Sequence, residues 1–354
     1  MKIFTVVGAR PQFVKAAVMS REFSNSNEIN EVIVHTGQHF DHNMSAIFFE
    51  ELSIPKPDHY LAIGGMSHGK MTGRMLEMLE DLMLIEQPDA VLVYGDTNST
   101  LAAALAASKI HIPVMHVEAG LRSFNMRMPE EINRIITDRL SSILFCPTQI
   151  AMDNLVNEGY EKDTERIINV GDIMLDASLY YNERLPVDDS LKGKRFVLCT
   201  IHRAENTDDP IVLKNIVDSL NEIHQEIEVI IPLHPRTREK LKDFGLNLKV
   251  TMISPASYID MIKLIKSSSL IITDSGGLQK EAYFFKKKCV TIREQTEWVE
   301  LIDAGANVLS PAQDGQIVID VLSMLKKEVD FSTNLYGNGD TGKKIMEAIL
   351  AFKK

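Results

Sequence analysis

The residues best suited to do chemistry sit at the ends of short apolar runs. Asp96 follows the run AVLVYG, and Glu118 follows VMHV. Pro129-Glu130-Glu131 opens a helical stretch, with Arg134 one turn later. Several carboxylates set beside cations is how a site separates the pKa of an acid from that of a base. Each also has a purely structural explanation. Glu130 and Glu131 suit the positive end of a helix dipole, and Asp96 suits an N-cap before the helix that follows Thr97-Asn98. A second signal is TDSGGLQKEA, Thr273–Ala282. An apolar run ends at Asp274, and Ser275-Gly276-Gly277 opens a helix. Free N–H groups and the helix dipole make such a turn an anion site. Its glycines let a phosphate approach the backbone closely. Glu281 lies one turn further on, where a carboxylate could accept both hydroxyls of a ribose. The alternative is a tight turn with a serine cap and a solvated glutamate.

These residues need a scaffold that lines them up, and the chain reads as one. Strands are expected at Ile3–Val7, Val32–His35, Ala90–Tyr94, Val114–Val117 and Ile143–Cys146. Helices are expected from Pro11, near Asn43–Glu51, and at His68–Glu86, Ser99–Ser108, Pro129–Ser141 and Gln149–Glu158. The Met-rich stretch Met66–Met83 has helical spacing and reads as a core stripe. A polar, Pro- and Gly-containing segment, Asn182–Lys194, reads as a linker. A second series follows, with strands at Phe196–Ile201, Glu228–Leu233, Lys249–Ile253, Leu270–Thr273 and Cys289–Ile292. Alternating strands and helices predict α/β architecture: two Rossmann-like doubly wound domains, 1–175 and 176–336, with a ligand held in the cleft between them. Residues 337–354 close with an amphipathic helix, Gly342–Phe352, expected to pack back on the first domain.

In open parallel sheets, ligands bind beyond the carboxyl ends of the strands. Those ends carry Gly8-Ala9-Arg10-Pro11 with Lys15, then Gln38-His39, Gly95-Asp96, and Glu118-Ala119-Gly120 with Arg122. In the second half they carry His202-Arg203, His234, Asp274-Ser275-Gly276-Gly277 and Arg293-Glu294. A purely structural sheet needs turns and caps there, not this concentration of ionisable groups.

Composition narrows the partners. The 354 residues carry a net charge of −11, with 45% apolar and 25% charged residues, a globular balance. An acidic surface repels nucleic acid and anionic lipid, so neither is an expected partner. The three cysteines, Cys146, Cys199 and Cys289, have no paired spacing. They read as buried thiols of a cytoplasmic protein, not as a disulfide framework or a zinc site. The opening apolar run is about five residues, too short for a signal peptide, and no run approaches the ~20 residues of a membrane span. Neither GxGxxG nor GxxxxGK[ST] occurs, so no nicotinamide cofactor and no P-loop is expected.

Taken in order, GARPQFVK, VYGDTNST, HVEAGLRS, MPEEINR, TIHRAEN, HPRT, TDSGGLQKEA and YGNGDTG resemble the non-hydrolysing UDP-N-acetylglucosamine 2-epimerases from end to end. The resemblance implies the glycosyltransferase-B type of fold, UDP bound mainly by the second domain, a homodimer, no cofactor, and a role in supplying surface-polysaccharide precursors. It implies that Arg10, Lys15, His202, Ser275, Gly276 and Glu281 hold UDP. It further implies that Asp96, Glu118 and Glu131 are catalytic carboxylates, with His202 beside the diphosphate. Arg134, Arg203, His234 and Gly277 join the candidate substrate-binding set. Gln38 and His39 resemble a loop that binds a second, activating UDP-N-acetylglucosamine in some members. Two positions depart from the usual pattern: Gln12 stands where RPE has its glutamate, and Trp298 stands where TERPE has its arginine. TEWVE with GARPQF is similar to the branch acting on the 2,3-diacetamido-glucuronate form of the sugar. Carbon 2 of such a sugar has no adjacent carbonyl, so its proton is barely acidic. A route that expels UDP first and passes through a 2-acetamidoglycal needs a diphosphate clamp and carboxylates at carbon 2. A transferase of the same architecture, a hydrolysing epimerase that releases UDP, and a nucleotide-sugar sensor are the alternatives.

Overall fold

The computed structural model describes residues 1–38, 52, 54–161, 166–185 and 193–352. The helix expected near Asn43–Glu51, His39 and the centre of the expected linker lie outside the described residues.

The chain divides into two compact units, Met1–Ala177 with Leu335–Lys354, and Ser178–Asn334. These divisions fall at 177/178 and 334/335, where the sequence suggested 175/176 and 336/337. The first falls inside a helix, Ile173–Glu183, which takes in the start of the segment read as linker. Its apolar residues Ile173, Met174, Ala177 and Tyr181 are buried and carry the helix as far as the polar Asn182-Glu183. The second is set by Tyr336, which is buried and whose carbonyl accepts the Asp172 N–H at 2.9 Å.

Unit 1 holds a parallel sheet of seven described strands: β1 (Lys2–Val7), β2 (Asn30–His35), β3 (His59–Tyr60), β4 (Ala90–Tyr94), β5 (Val114–Val117), β6 (Ile143–Cys146) and β7 (Ile167–Asn169). Their order is β3-β2-β1-β4-β5-β6-β7. The strands are apolar on both faces because helices cover both. The His68–Glu86 helix supplies one such cover through buried Met71, Met75, Leu79 and Met83, so the methionine stripe is core from Met71 on, while Met66, before the helix, is exposed. The closing helix, Thr341–Ala351, belongs to this unit. Asp176 Oδ2 accepts the Gly342 N–H at 2.8 Å, and a Cβ on Gly342 would lie 2.8 Å from Val18 Cγ1 in the first helix, Arg10–Ser24.

Unit 2 repeats the plan with β8 (Phe196–Thr200), β9 (Glu228–Pro232), β10 (Thr251–Ile253), β11 (Leu270–Thr273), β12 (Cys289–Thr291) and β13 (Asn307–Leu309). The order is β10-β9-β8-β11-β12-β13, again with all pairings parallel. Its core gathers Val197, Cys199, Val229, Ile231, Leu270 and Ile272 beneath the helices Pro210–Glu226 and Gln316–Lys326. Both units are therefore Rossmann-like doubly wound folds, of the α/β class seen in glycosyltransferase-B proteins. All three cysteines are buried and free. Among the described residues, no helix is long and apolar enough to cross a membrane.

The strand orders fix where ligands belong. In each sheet the chain starts centrally, winds outward, then returns to the other side of its first strand. The switch falls between β1 and β4 in unit 1 and between β8 and β11 in unit 2. The crevice beyond the carboxyl ends at such a switch is where doubly wound sheets bind ligands.

One partly buried carboxylate lies away from these switches. Glu31 Oε1 accepts from Thr5 Oγ1 at 2.6 Å, and burial pushes its carboxyl above the ordinary range. A raised folded-state pKa favours the fold below the ordinary carboxylate range and costs stability as pH rises through it. Glu31→Gln is expected to raise Tm by about 2 °C near neutral pH. Scanning calorimetry should show that gain vanish in acid; a gain that persists in acid would contradict this reading.

Candidate active site

At the unit 1 switch, Lys15 reaches up from the first helix and bonds Glu118 directly. Gly95 makes room for them. It sits at φ +63°, and a Cβ there would lie 3.3 Å from both Glu118 Oε2 and Lys15 Nζ. Glu118 itself has φ +72°. That left-handed conformation costs a non-glycine residue roughly 1–3 kcal/mol and persists only where the surroundings enforce it. The N–H groups of Glu118 and Ala119 both donate to the Phe145 carbonyl, at 3.1 and 3.0 Å, which pins the turn from the β6 side.

Asp96 is not a helix cap. Thr97 caps the helix Asn98–Lys109 by accepting from the Thr100 N–H, which leaves the Asp96 carboxylate for other work. Its Oδ2 accepts from Arg134 Nη2 at 2.6 Å and Nε at 3.0 Å. Burial opposes ionisation of this carboxyl, but Arg134 and then Lys15 outweigh it and hold it below the ordinary range. Arg134 also donates from Nη1 to Glu131 Oε2 at 2.8 Å. Glu131 is almost fully buried. It accepts in addition from the Ser123 N–H, Ser123 Oγ and the Phe124 N–H at 2.9–3.0 Å. In this state Glu131 positions Arg134 and the 123–124 turn. A cavity of about 170 Å³ opens beside Asp96, lined also by Lys15, Gln38, His68, Asn98, Glu130 and Asn133. Gln38 turns its Oε1 to Ser99, accepting from its N–H at 3.0 Å and its hydroxyl at 2.8 Å.

Gln12, the first departure from the usual pattern, is buried and fully used. Its Oε1 accepts from the N–H groups of Gly8 and Ala9. Its Nε2 donates to the Tyr94 carbonyl at 2.8 Å and to the hydroxyls of Thr97 and Thr100. The amide accepts at one end and donates at the other, which an ionised glutamate could not do, so here Gln12 ties the end of β1 to the end of β4.

At the unit 2 switch, Asp274 organises the loops rather than facing outward. Its Oδ2 accepts from the N–H groups of His202 and Arg203 at 2.9 Å and from Asn206 Nδ2 at 3.2 Å. His202 Nδ1 lies 3.1 Å from its Oδ1. Burial opposes the charge on Asp274, but His202 and these N–H donors outweigh it and hold the carboxyl low. His202 is thereby fixed with its ring half exposed, 6.1 Å from the ring of His234. His234 Nδ1 accepts from the Arg236 N–H and starts the helix Pro235–Asp243. Arg203 is part-exposed nearby in sequence and 3.8 Å from Glu205. The helix Gly276–Phe284 starts after Ser275, whose side chain makes no cap bond. Open space surrounds the missing Cβ of Gly277, while Glu297 Oε1 approaches that of Gly276 to 2.5 Å. Glu297 is held by Arg293 Nη1 at 3.0 Å. Glu281 is buried one turn along, beside Tyr258, whose hydroxyl also meets Ser178 Oγ at 3.2 Å. Trp298, the second departure, is buried with Lys280 Nζ 4.0 Å from its ring centroid, a cation–π contact.

The structure thus gathers Lys15, Gln38, Asp96, Glu118, Glu131 and Arg134 in unit 1. It gathers His202, Arg203, His234, Ser275, Gly276, Gly277 and Glu281 in unit 2. Arg10 begins the first helix, and His39 lies outside the described residues. Sequence reasoning passed over His116, Asp138 and Asn133. Asn133 Nδ2 donates to the Asp96 carbonyl at 2.8 Å. Glu131, Arg134 and Asp138 share one stripe of the helix Pro129–Leu140, at i, i+3 and i+7, and all three are buried. Charges where a core stripe should be apolar were the available signal.

A sequence profile of the UDP-N-acetylglucosamine 2-epimerase family matches residues 21–350. The chain is 56% identical over 349 residues to the UDP-2,3-diacetamido-2,3-dideoxy-D-glucuronate 2-epimerase of Pseudomonas aeruginosa, covering 98% of this chain and 99% of that one. The chain belongs to the UDP-N-acetylglucosamine 2-epimerase family. Within it, the UDP-N-acetylglucosamine 2-epimerase of Methanocaldococcus jannaschii is 42% identical over 370 residues, with both chains fully covered. The crystal structure of the Methanocaldococcus jannaschii UDP-GlcNAc 2-epimerase in complex with UDP-GlcNAc and UDP superposes with TM-score 0.91 at 41% identity, over 99% of this chain and 100% of that one. The Neisseria meningitidis enzyme bound to UDP-GlcNAc gives 0.89 at 32% identity, with the same coverage. Membership in this family fits the two ionic clusters found at the switch points.

Proposed function

We propose that this chain is a non-hydrolysing 2-epimerase of a UDP-2-acetamido sugar, and that the sugar is the 2,3-diacetamido-2,3-dideoxy-glucuronate form. The observation that carries the reaction is the pair of cation-held carboxylates, Asp96 with Arg134 and Glu118 with Lys15, of which Asp96 and Lys15 line the cavity. The 56% identity to the Pseudomonas aeruginosa enzyme supports the choice of sugar. The open turn at Ser275-Gly276-Gly277, with His202, receives the diphosphate, and Glu281 accepts the ribose hydroxyls.

The bond from carbon 1 to the diphosphate oxygen breaks first, and UDP leaves with the electron pair. Asp96, held ionised by Arg134, takes the proton from carbon 2, and the carbon 1–carbon 2 double bond of the glycal forms. A proton returned from the Glu118–Lys15 pair to the opposite face of carbon 2, with UDP re-adding at carbon 1, completes inversion. Atoms and electrons balance without an oxidant. The fixed N–H groups and His202 stabilise the leaving diphosphate charge as it develops. The family resemblance further supports a cytoplasmic homodimer, which sedimentation and fractionation would check.

Proton NMR in deuterated water tests the reading directly. The purified chain is mixed with UDP-2,3-diacetamido-2,3-dideoxy-glucuronate or with UDP-N-acetylglucosamine, and no cofactor is added. The manno epimer is expected from the first sugar, with deuterium entering carbon 2. Reaction of the second sugar alone would overturn the substrate. Release of UDP with free sugar would favour a hydrolase, and no exchange with either would remove the epimerase reading.

A further inference from the structure

Beside the unit 1 cluster stands a second ionic group, centred on a carboxylate that does not line the cavity. Asp138, fully buried on the helix Pro129–Leu140, accepts from His116 Nδ1 at 2.7 Å, the Gly120 N–H at 3.2 Å and Arg122 Nη1 at 2.8 Å. His116 and Gly120 stand two residues before and two residues after Glu118. One carboxylate therefore grips the chain on both sides of the residue that is held in the left-handed region. The other ring nitrogen of His116, Nε2, donates to the Gly95 carbonyl at 2.8 Å, next to Asp96. Arg122 is braced from its far side by Glu158, at 2.6 and 2.9 Å.

We propose that Asp138, acting through His116 and Gly120, is a positioning residue that fixes the Glu118 turn and registers it against Gly95-Asp96. The geometry assigns it this part because its side chain bonds both flanks of Glu118 and, through one imidazole, reaches the other carboxylate's loop. A buried charge cluster of this kind serves stability poorly compared with apolar packing. Its use is to hold two reacting groups in register, where a displacement of about 1 Å can cost ~10²-fold in rate.

The proposal rests on the epimerase reading, and its test separates the two. Asp138→Asn in the full chain is expected to lower kcat about 10²-fold, with KM for the UDP-sugar and Kd for UDP within about 3-fold of wild type. Ile345→Ala, a cavity in the closing helix of the same unit, is the control for simple destabilisation and should leave kcat unchanged. A folded Asp138→Asn protein with kcat near wild type overturns the proposal. So does a loss of kcat that Ile345→Ala matches. If Asp138→Asn does not fold, His116→Gln carries the test, with an expected loss of about 10-fold in kcat, and wild-type turnover there overturns it. If the wild-type chain exchanges no carbon-2 proton with either sugar, the epimerase reading fails by itself. The crystal structure of the variant then decides the positioning role: Glu118 should leave the left-handed region, and its remaining there refutes the role.

Discussion

Asp96→Asn is expected to lower turnover at least ~10²-fold while leaving the fold and UDP binding intact. The amide keeps the size of the carboxylate and can still accept from Arg134, so the loss isolates proton transfer. With Asp96 as the proposed base, the same ion pair is expected to set the acid limb of the pH profile. Because Arg134 and Lys15 hold the Asp96 carboxyl below the ordinary range, Asp96 stays ionised into mild acid. The acid limb of kcat/KM should therefore lie below the ordinary carboxylate range. Arg134→Ala should move it upward, because burial would then act unopposed by the nearer cation. Near-normal turnover in Asp96→Asn, or an unmoved limb in Arg134→Ala, would remove Asp96 from the role of base. Steady-state rates across pH, with UDP binding by calorimetry as the check on folding, settle both.

Gly120→Ala is expected to be the most damaging single methyl in unit 1. The residue has φ +79°, and the added carbon would lie 2.3 Å from the Ala151 carbonyl oxygen and 2.8 Å from its carbon. Those are backbone atoms at the start of the helix Gln149–Asn157, so they cannot swing aside as a side-chain tip would. The conformation costs about 1–2 kcal/mol for an L-residue, and relieving the overlap costs about 1–3 kcal/mol more. A fall in Tm of about 10 °C follows for a unit of this size. The shift forced on Gly120 also drags the Glu118 turn, so turnover should drop further than stability alone explains. Differential scanning calorimetry together with kcat measured well below Tm would show it. A Tm within 2 °C of wild type would mean that the helix yields easily.

Much of the site was readable because doubly wound sheets put function at strand ends. Apolar runs marked β1, β4, β5, β8 and β11, and Lys15, Asp96, Glu118, His202 and Ser275 follow from the next few residues. Three strands were not anticipated: β3, β7 and β13. All are sheet edges of two or three residues, such as His59–Tyr60 and Asn307–Leu309, too short for any period to show. Asp138 and His116 escaped for a different reason. His116 sits inside VMHV, where its neighbours argue for an apolar strand, and its partner on β4 is Val93. Only the packing of the helix Pro129–Leu140 under the β5 turn brings Asp138 to it, a long-range contact that no local spacing encodes. Glu131 reads locally as a residue matched to the helix dipole, and the resemblance implies a catalytic role; its four hydrogen bonds to Ser123, Phe124 and Arg134 depend on the 123–124 turn, which no helix pattern foretells.

The return of the chain to its first unit bears on how the protein is made. Residues Leu335–Lys354 belong to unit 1, whose first strand and first helix are synthesised before any of unit 2. As the chain leaves the ribosome, unit 2 has all of its sequence before unit 1 does. The half that carries Asp96 and Glu118 must wait, with the Arg10–Ser24 helix face that receives Gly342 still bare, until the final helix emerges. The carboxylate-bearing unit therefore cannot be completed before unit 2 has been synthesised.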